Sequence, residues 1–329
     1  MKFSRDLLKI DPKFEAGVVK NFMIECTRAV PKRDGIIIGV SGGIDSAVVA
    51  SLAVEAVGKE NVLALILPEK ESNPISAEYA KKLIDKLGIR YKTVELTPIV
   101  GGYGAYKTRD EIIKGLFPEY NESYKFNIYL PQNILEVDRY NFYTLRIDDG
   151  KGNRKEKRLS KSQFLAITAA ANVKIRSRMI ALYYWGEQHN YLIAGTTNKS
   201  EFLLGDFCKY GDGGTDIEGI AYLYKLQICQ LGEYLKVPKE IIERTPSPDT
   251  FSLPVSDKDF YFCLSFDLLD PLLYAWEYKV DVKEVSKELS LSEEQISRVF
   301  KDFSSKFAST EHIRNPAMTI ERNWSSFKR

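Results

Sequence analysis

Apolar and polar positions along the chain follow two rhythms. Short unbroken apolar runs, "IIIGV" (36–40), "VLALIL" (62–67) and "YLIAG" (191–195), read as strands buried on both faces, and "YKTVEL" (91–96) joins them. Between and after these runs, apolar residues recur at helical spacing over 44–57, 75–87, roughly 162–189 and near 199–206. An earlier helical run over 12–31 puts Phe14, Val18, Phe22 and Cys26 on one stripe, with Pro31 ending it. Strands spaced by helices predict an α/β fold, a parallel twisted sheet of Rossmann-like type with helices on both faces. Ligands of such sheets sit beyond the carboxyl ends of the strands, where Ser41–Ser46 and Thr196–Asn198 fall. From about 256 onward the pattern is helical. There "SLSEEQ" offers Ser292 as N-cap and Gln295 as its capping-box partner for a helix over 292–307.

Residues 100–160 interrupt the alternation. They are rich in tyrosine (Tyr103, Tyr106, Tyr120, Tyr124, Tyr129, Tyr140, Tyr143), and "NFYTLRIDDGKGNRKEKRL" reads as a β-hairpin around Asp149-Gly150. The charge run Lys151–Arg158 is most simply its solvated tip, with a lid or interface arm as the second reading.

Composition narrows the function classes. The chain has 329 residues, and its 47 basic and 45 acidic side chains leave a net charge of +2, without the cationic excess that nucleic-acid phosphates demand. No apolar run is long enough to span a membrane, and the start "MKFSRDLLKIDPKF" lacks a signal peptide's apolar stretch. Cys26, Cys208, Cys229 and Cys263 are far apart, which predicts free thiols in a reducing cytoplasm, with Cys26 a buried structural one. The only histidines are His189 and His312, so any mechanism with a histidine base has two candidates.

The stretch "IIIGVSGGIDSAVV" therefore has two readings. "GVSGG" matches the serine-hydrolase elbow G-x-S-x-G, with Ser41 as nucleophile and His189 or His312 as base. No glycine-rich oxyanion loop precedes it, however, and it follows the first strand rather than a later one. The second reading is a phosphate cradle. Gly42 and Gly43 admit an anion close to the backbone, Ser41 and Ser46 supply hydroxyls, and the following helix points free N–H groups at the same spot. The Walker lysine is missing, and Asp45 would repel phosphate unless a divalent cation lay between them, so this reading implies a magnesium-bound polyphosphate. A plain glycine turn, with Asp45 as a helix-start charge, is the structural alternative.

A second stretch, "AGTTNKSEFLLGDFCKYGDGGTDIEGIAYLYKLQ" (194–227), brings Thr196, Glu201, Lys209, Asp212, Asp216 and Lys225 into a strand-end and glycine-rich loop setting that suits magnesium, phosphate and a charged substrate. With "SGGIDSA", "NVKIRSRM" (172–179), "PSPDT" (246–250) and "TEHIR" (310–314), it resembles the NAD synthetases of the N-type ATP pyrophosphatase group over nearly the whole chain outside 100–160. The resemblance implies an adenine-nucleotide alpha-hydrolase-like fold and the reaction of ATP, deamido-NAD and ammonia to AMP, pyrophosphate and NAD. It implies Ser41, Gly42, Gly43, Ile44, Asp45, Ser46, Thr196, Lys225 and Ser247 around ATP, with Asp45 and Glu201 as magnesium ligands. Asn172, Arg176, Lys209, Asp212, Asp216 and His312 fall at substrate positions, and Asp212 or Asp216 is the candidate acceptor of the ammonium proton.

The resemblance further implies a homodimer whose interface involves the first helix and the 162–189 helix. With about thirty residues before the first strand, a single 1–329 domain without a glutaminase is expected, fed by free ammonia or by a separate glutaminase. Three departures touch the substrate side: Ile313 stands where a lysine is common, Thr168 where some members have an aromatic, and the 100–160 segment is long. They motivate a second reading, an amide-forming ligase that adenylates a different carboxylate. A non-catalytic dinucleotide-binding protein is the third.

Overall fold

Alternation along the first strand decides the architecture. In β1 (Gly35–Gly39), Ile36 and Ile38 enter the apolar core on one side of the sheet and Ile37 enters the core on the other. The computed structural model describes residues 3–29, 32–131, 133–137 and 142–317. β2 (Val62–Ile66), β3 (Arg90–Thr93) and β7 (Tyr191–Ala194) complete a parallel sheet in the order β3-β2-β1-β7. Ile36 pairs with Val62 on one side and Leu192 on the other, so β1 is central. The chain first winds outward through α2 (Ile44–Val57) and α3 (Pro74–Leu87), then returns to add β7 on the opposite side of β1. The reversal leaves a crevice at the carboxyl ends of β1 and β7.

One face of the sheet is covered by α1 (Pro12–Arg28), α2, α3 and α8 (Lys225–Tyr234). The other is covered by α6 (Lys161–His189), a 29-residue helix opened by a Ser160/Gln163 capping box. Short helices α7 (Lys199–Leu204) and α9 (Lys239–Ile242) flank α8. A separate core lies under the C-terminal helices α10 (Phe266–Glu277), α11 (Val282–Leu289), α12 (Glu293–Ser309) and α13 (Glu311–Arg314). Ser292 caps α12 through the Gln295 amide, as its sequence predicts.

The 100–160 segment holds more structure than one hairpin. α4 (Thr97–Gly102) and α5 (Ala105–Leu116) precede an antiparallel sheet of β4 (Lys125–Tyr129), β5 (Thr144–Asp148) and β6 (Arg154–Arg158). The predicted hairpin is β5–β6, turning through Asp149-Gly150 with φ +73° at the glycine. Its strand β6 is exposed along its whole length.

The stripe read on the first helix needs correction. Phe14, Val18 and Phe22 face solvent, while Ala16, Val19, Met23 and Thr27 enter the core. Cys26 is half-buried against that core rather than sealed in it. The run 91–96 is strand only to Thr93, because Thr97-Pro98 opens α4. None of the four cysteines is joined in a disulfide. Among the described residues, no helix is long and apolar enough to cross a membrane. Pro31 and Tyr140 lie outside the described residues.

Candidate active site

β1 ends beneath the SGG turn. Gly42 has φ +75°, and a Cβ there would stand 2.4 Å from the Ser76 carbonyl oxygen, so only glycine fits. Gly43 opens α2 with no side-chain cap, which leaves helix-terminal N–H groups for an incoming anion. The serines shape the turn from within. Ser41 Oγ accepts from Gly43 N at 3.2 Å and lies 3.1 Å from Ser46 Oγ, which donates to the Gly43 carbonyl at 3.0 Å. No histidine lines the cavity above them. His189 Nδ1 lies 2.8 Å from the Trp185 carbonyl at the end of α6, and His312 lies on α13, so neither serves Ser41 as a base.

Three elements bring the charges together. Lys225, buried at the start of α8, binds Asp45 Oδ2 directly and stands 3.9 Å from Glu201 Oε1. Asn198 donates to Asp45 Oδ1 at 3.0 Å and forms a reciprocal capping box with Glu201, which fixes that carboxylate at the cavity wall. One ammonium thus faces two carboxylates, and Asp45 takes the direct bond. Burial first, then the Asp45 charge, pushes the Glu201 carboxyl well above its usual range. Burial alone would lower the Lys225 ammonium, but Asp45 and Glu201 outweigh it and raise it. Two more carboxylates line the same wall. Burial and the neighbouring acids push Asp206 up to about 8, and burial pushes Asp257 to about 6.

The cavity is about 720 Å³, roomy enough for a nucleotide. Ser41, Gly43, Ile44, Asp45, Ser46, Thr196, Glu201, Lys225 and Ser247 all line it, together with Asn172 and Asp212. Its second wall is one stripe of α6: Thr168, Asn172, Ile175, Met179 and Leu182. Asp212 accepts from Cys208 N at 2.6 Å. It reaches solvent yet sits in a recess where burial raises its carboxyl.

Other expected residues lie elsewhere. Gly42 is behind the turn, its carbonyl accepting from Arg244. Arg176 donates to the Lys209 carbonyl, and Lys209 Nζ donates to the carbonyls of His312 (2.7 Å) and Asn315 (2.8 Å). Arg176, Lys209, His312 and Asn315 form an outer cluster beyond the cavity lining. Asp216 is committed to the fold: Oδ2 accepts from Ile193 N at 2.9 Å and Oδ1 from the Tyr183 hydroxyl at 3.3 Å.

Sequence reasoning missed several groups. Asp206, Asp257, Arg178 and Arg244 line the cavity. Lys174 and Arg178, four apart on α6, were legible as one helix face opposite exposed Arg176. Arg244 bridges Ser76 and the Gly42 carbonyl from two residues before "PSPDT", just outside the motif.

The family model for NAD synthase matches residues 18–126 and 132–317. The NH3-dependent NAD+ synthetase of Rhizobium meliloti is 36% identical over 311 residues, covering 94% of this chain and 92% of its own. That of Thermotoga maritima is 36% identical over 272 residues, covering 79% and 89%. Among solved structures, an NMN synthetase from Francisella tularensis superposes with TM-score 0.67 at 24% identity over 95% of this chain and 100% of its own. An NH3-dependent NAD synthetase from Campylobacter jejuni does so with TM-score 0.62, also at 24% identity and with the same coverage. The structural neighbours share the fold, and the family model and sequence relatives reach almost end to end: the chain belongs to the NAD synthase family.

Proposed function

We propose that this chain makes NAD by ATP-dependent amidation of deamido-NAD with ammonia. A carboxylate resists ammonia because oxide is a poor leaving group. Its oxygen therefore first attacks the α-phosphorus of ATP, and the bond to pyrophosphate breaks. Ammonia then attacks the acyl carbon, and AMP leaves with the former carboxylate oxygen. The observation that carries this reading is the joining of the uncapped SGG turn to Asp45, Glu201 and Lys225 in one cavity at the carboxyl ends of the strands.

The turn and the α2 N-terminus hold the departing pyrophosphate, with Lys225 adding positive charge. Asp45 and Glu201 would hold magnesium, whose preference for hard oxygens and for one or two carboxylates beside substrate phosphates fits this pair. When bound, the ion supplies charge neutralisation to the phosphates. Asp212 is the proposed acceptor of the ammonium proton, since it faces the cavity while Asp216 is tied to β7 and α6. Arg176, Lys209 and His312 form an outer rim suited to the distal part of a dinucleotide.

The exposed stripe Phe14, Val18 and Phe22 supports a homodimer built through α1. Four cysteines outside any disulfide suit a reducing cytoplasm. The chain acts as one catalytic unit, taking ammonia free or from a separate glutaminase. The relatives, being NAD synthetases, do not favour a different carboxylate as acceptor.

Pyrophosphate release with ATP, magnesium and ammonium tests the reading. Release should require deamido-NAD, yield NAD, and fall by about 10²-fold or more in Asp45→Asn. The mononucleotide acid is the control acceptor, because one structural neighbour is an NMN synthetase. Equal turnover of both acids, or of neither, would defeat the assignment.

A further inference from the structure

A buried polar network joins α5, α6 and two irregular segments, and no step of the proposed reaction uses it. Lys174 is 3% exposed, and its ammonium donates to Glu69 Oε1 (3.0 Å), Glu71 Oε2 (2.6 Å) and the Thr250 carbonyl (2.8 Å). Glu69 Oε2 also accepts from the Tyr106 hydroxyl at 2.6 Å and from Glu71 N at 3.1 Å. Arg109, 4% exposed, pairs with Glu71 and Asp110 at 2.7 Å each. Burial would raise the Glu71 carboxyl, but Lys174 and Arg109 hold it below its ordinary range.

What the network grips matters more than its strength. Glu69 and Thr250 line the large cavity, one on segment 67–73 and the other on 245–256. The same segments meet again at Asp249, whose carboxylate accepts from Asn73 N at 3.1 Å and Ser76 Oγ at 2.7 Å. The second segment is also laid along the insertion's sheet. Phe126 N donates to Ser252 Oγ (3.0 Å), Leu253 N to the Phe126 carbonyl (2.9 Å), and Asn127 Nδ2 to the Pro254 carbonyl (3.0 Å). Asn73 and Ser76 belong to the start of α3, but Lys174, Tyr106, Phe126 and Asn127 come from α6 and the insertion rather than from the parallel sheet that carries the phosphate turn.

A buried ion cluster adds little net stability over apolar packing, but a lysine with three donors in use fixes three partners in one geometry. We propose that Lys174 and Tyr106 are positioning residues that set segments 67–73 and 245–256 around bound ATP, with the tyrosine-rich insertion serving as their brace. The inference rests on the ATP-using reading of the same cavity.

Tyr106→Phe is the cleanest probe, because it removes one hydroxyl and keeps the ring that lies 4.1 Å from Lys70 Nζ. It should lower kcat/KM for ATP about tenfold, the loss of one hydrogen bond to a charged partner, and leave KM for ammonium unchanged. Protease cleavage between 245 and 256 should quicken, and a non-hydrolysable ATP analogue should suppress it, with the Tm near wild type. Tyr103→Ala, at a 79% exposed neighbouring site, should change none of these. Lys174→Gln should give the larger effect, and Tyr106→Phe alone decides the matter where that variant does not fold. Wild-type ATP kinetics and cleavage in Tyr106→Phe, or a lowered Tm with nothing else, would overturn the proposal. Cleavage needs no turnover, so its outcome is separate from failure of the deamido-NAD reading, which would appear as a wild-type protein that binds ATP and makes no NAD.

Discussion

Asp270 has no solvent contact, and its two oxygens accept from Ser200 Oγ at 2.6 Å and Leu226 N at 2.7 Å. Burial pushes its carboxyl from 3.8 to about 7. The folded chain therefore holds this proton where the unfolded chain has already released it. Its stabilising contribution is fully present below about pH 4 and is lost as the pH climbs through about 7. The Tm should fall over that window, and Asp270→Asn should flatten the slope. A variant with the wild-type pH dependence would show that other groups carry it. Asp270 was illegible from the sequence, where it is one acid on a helix among many. Asp45 was legible because a carboxylate at a phosphate turn conflicts with the turn's own chemistry.

At the level of elements, the parallel sheet could be read because β1 and β2 are buried on both faces and so are written as unbroken apolar runs. The first helix misled because it carries two stripes. Phe14 and Phe22 face out with Val18, and Ala16, Val19 and Met23 pack against α2 and α8. Val18 and Val19 are the same side chain, and only the one with a neighbouring helix opposite is buried. α5 went unread because "AYKTRDEIIKGL" is mostly polar and its buried members include Arg109, held by an ion pair to Glu71, and Tyr106, whose hydroxyl donates to Glu69. The SGG turn is the reverse case, fully visible in its letters. Gly42→Ala should cost about 1–3 kcal/mol through its positive φ and the nearby Ser76 oxygen, and should weaken ATP binding with it. Chemical denaturation and nucleotide titration check both, and an unchanged ATP affinity would mean that the turn does not hold the phosphates.

The whole molecule divides its labour. The parallel sheet presents the SGG turn, α6 walls the cavity, and the insertion lies along segment 245–256. The stripe on α1 belongs to none of these tasks. Phe14→Glu with Phe22→Glu should convert the proposed dimer to a monomer in sedimentation, with the fold kept because neither residue enters the core. A wild-type protein that is already monomeric would remove the dimer from the proposal.

Lys225, standing between Asp45 and Glu201, has a consequence for how the protein responds to its ionic surroundings. The resting molecule carries its own counter-ion. On the proposed reading, Asp45 and Glu201 would have to loosen their pairing with Lys225 to hold magnesium. Lys225 would then offset both carboxylates whenever the ion is absent, and the fold would not depend on it. A cell short of magnesium would slow its supply of NAD without losing the protein that makes it.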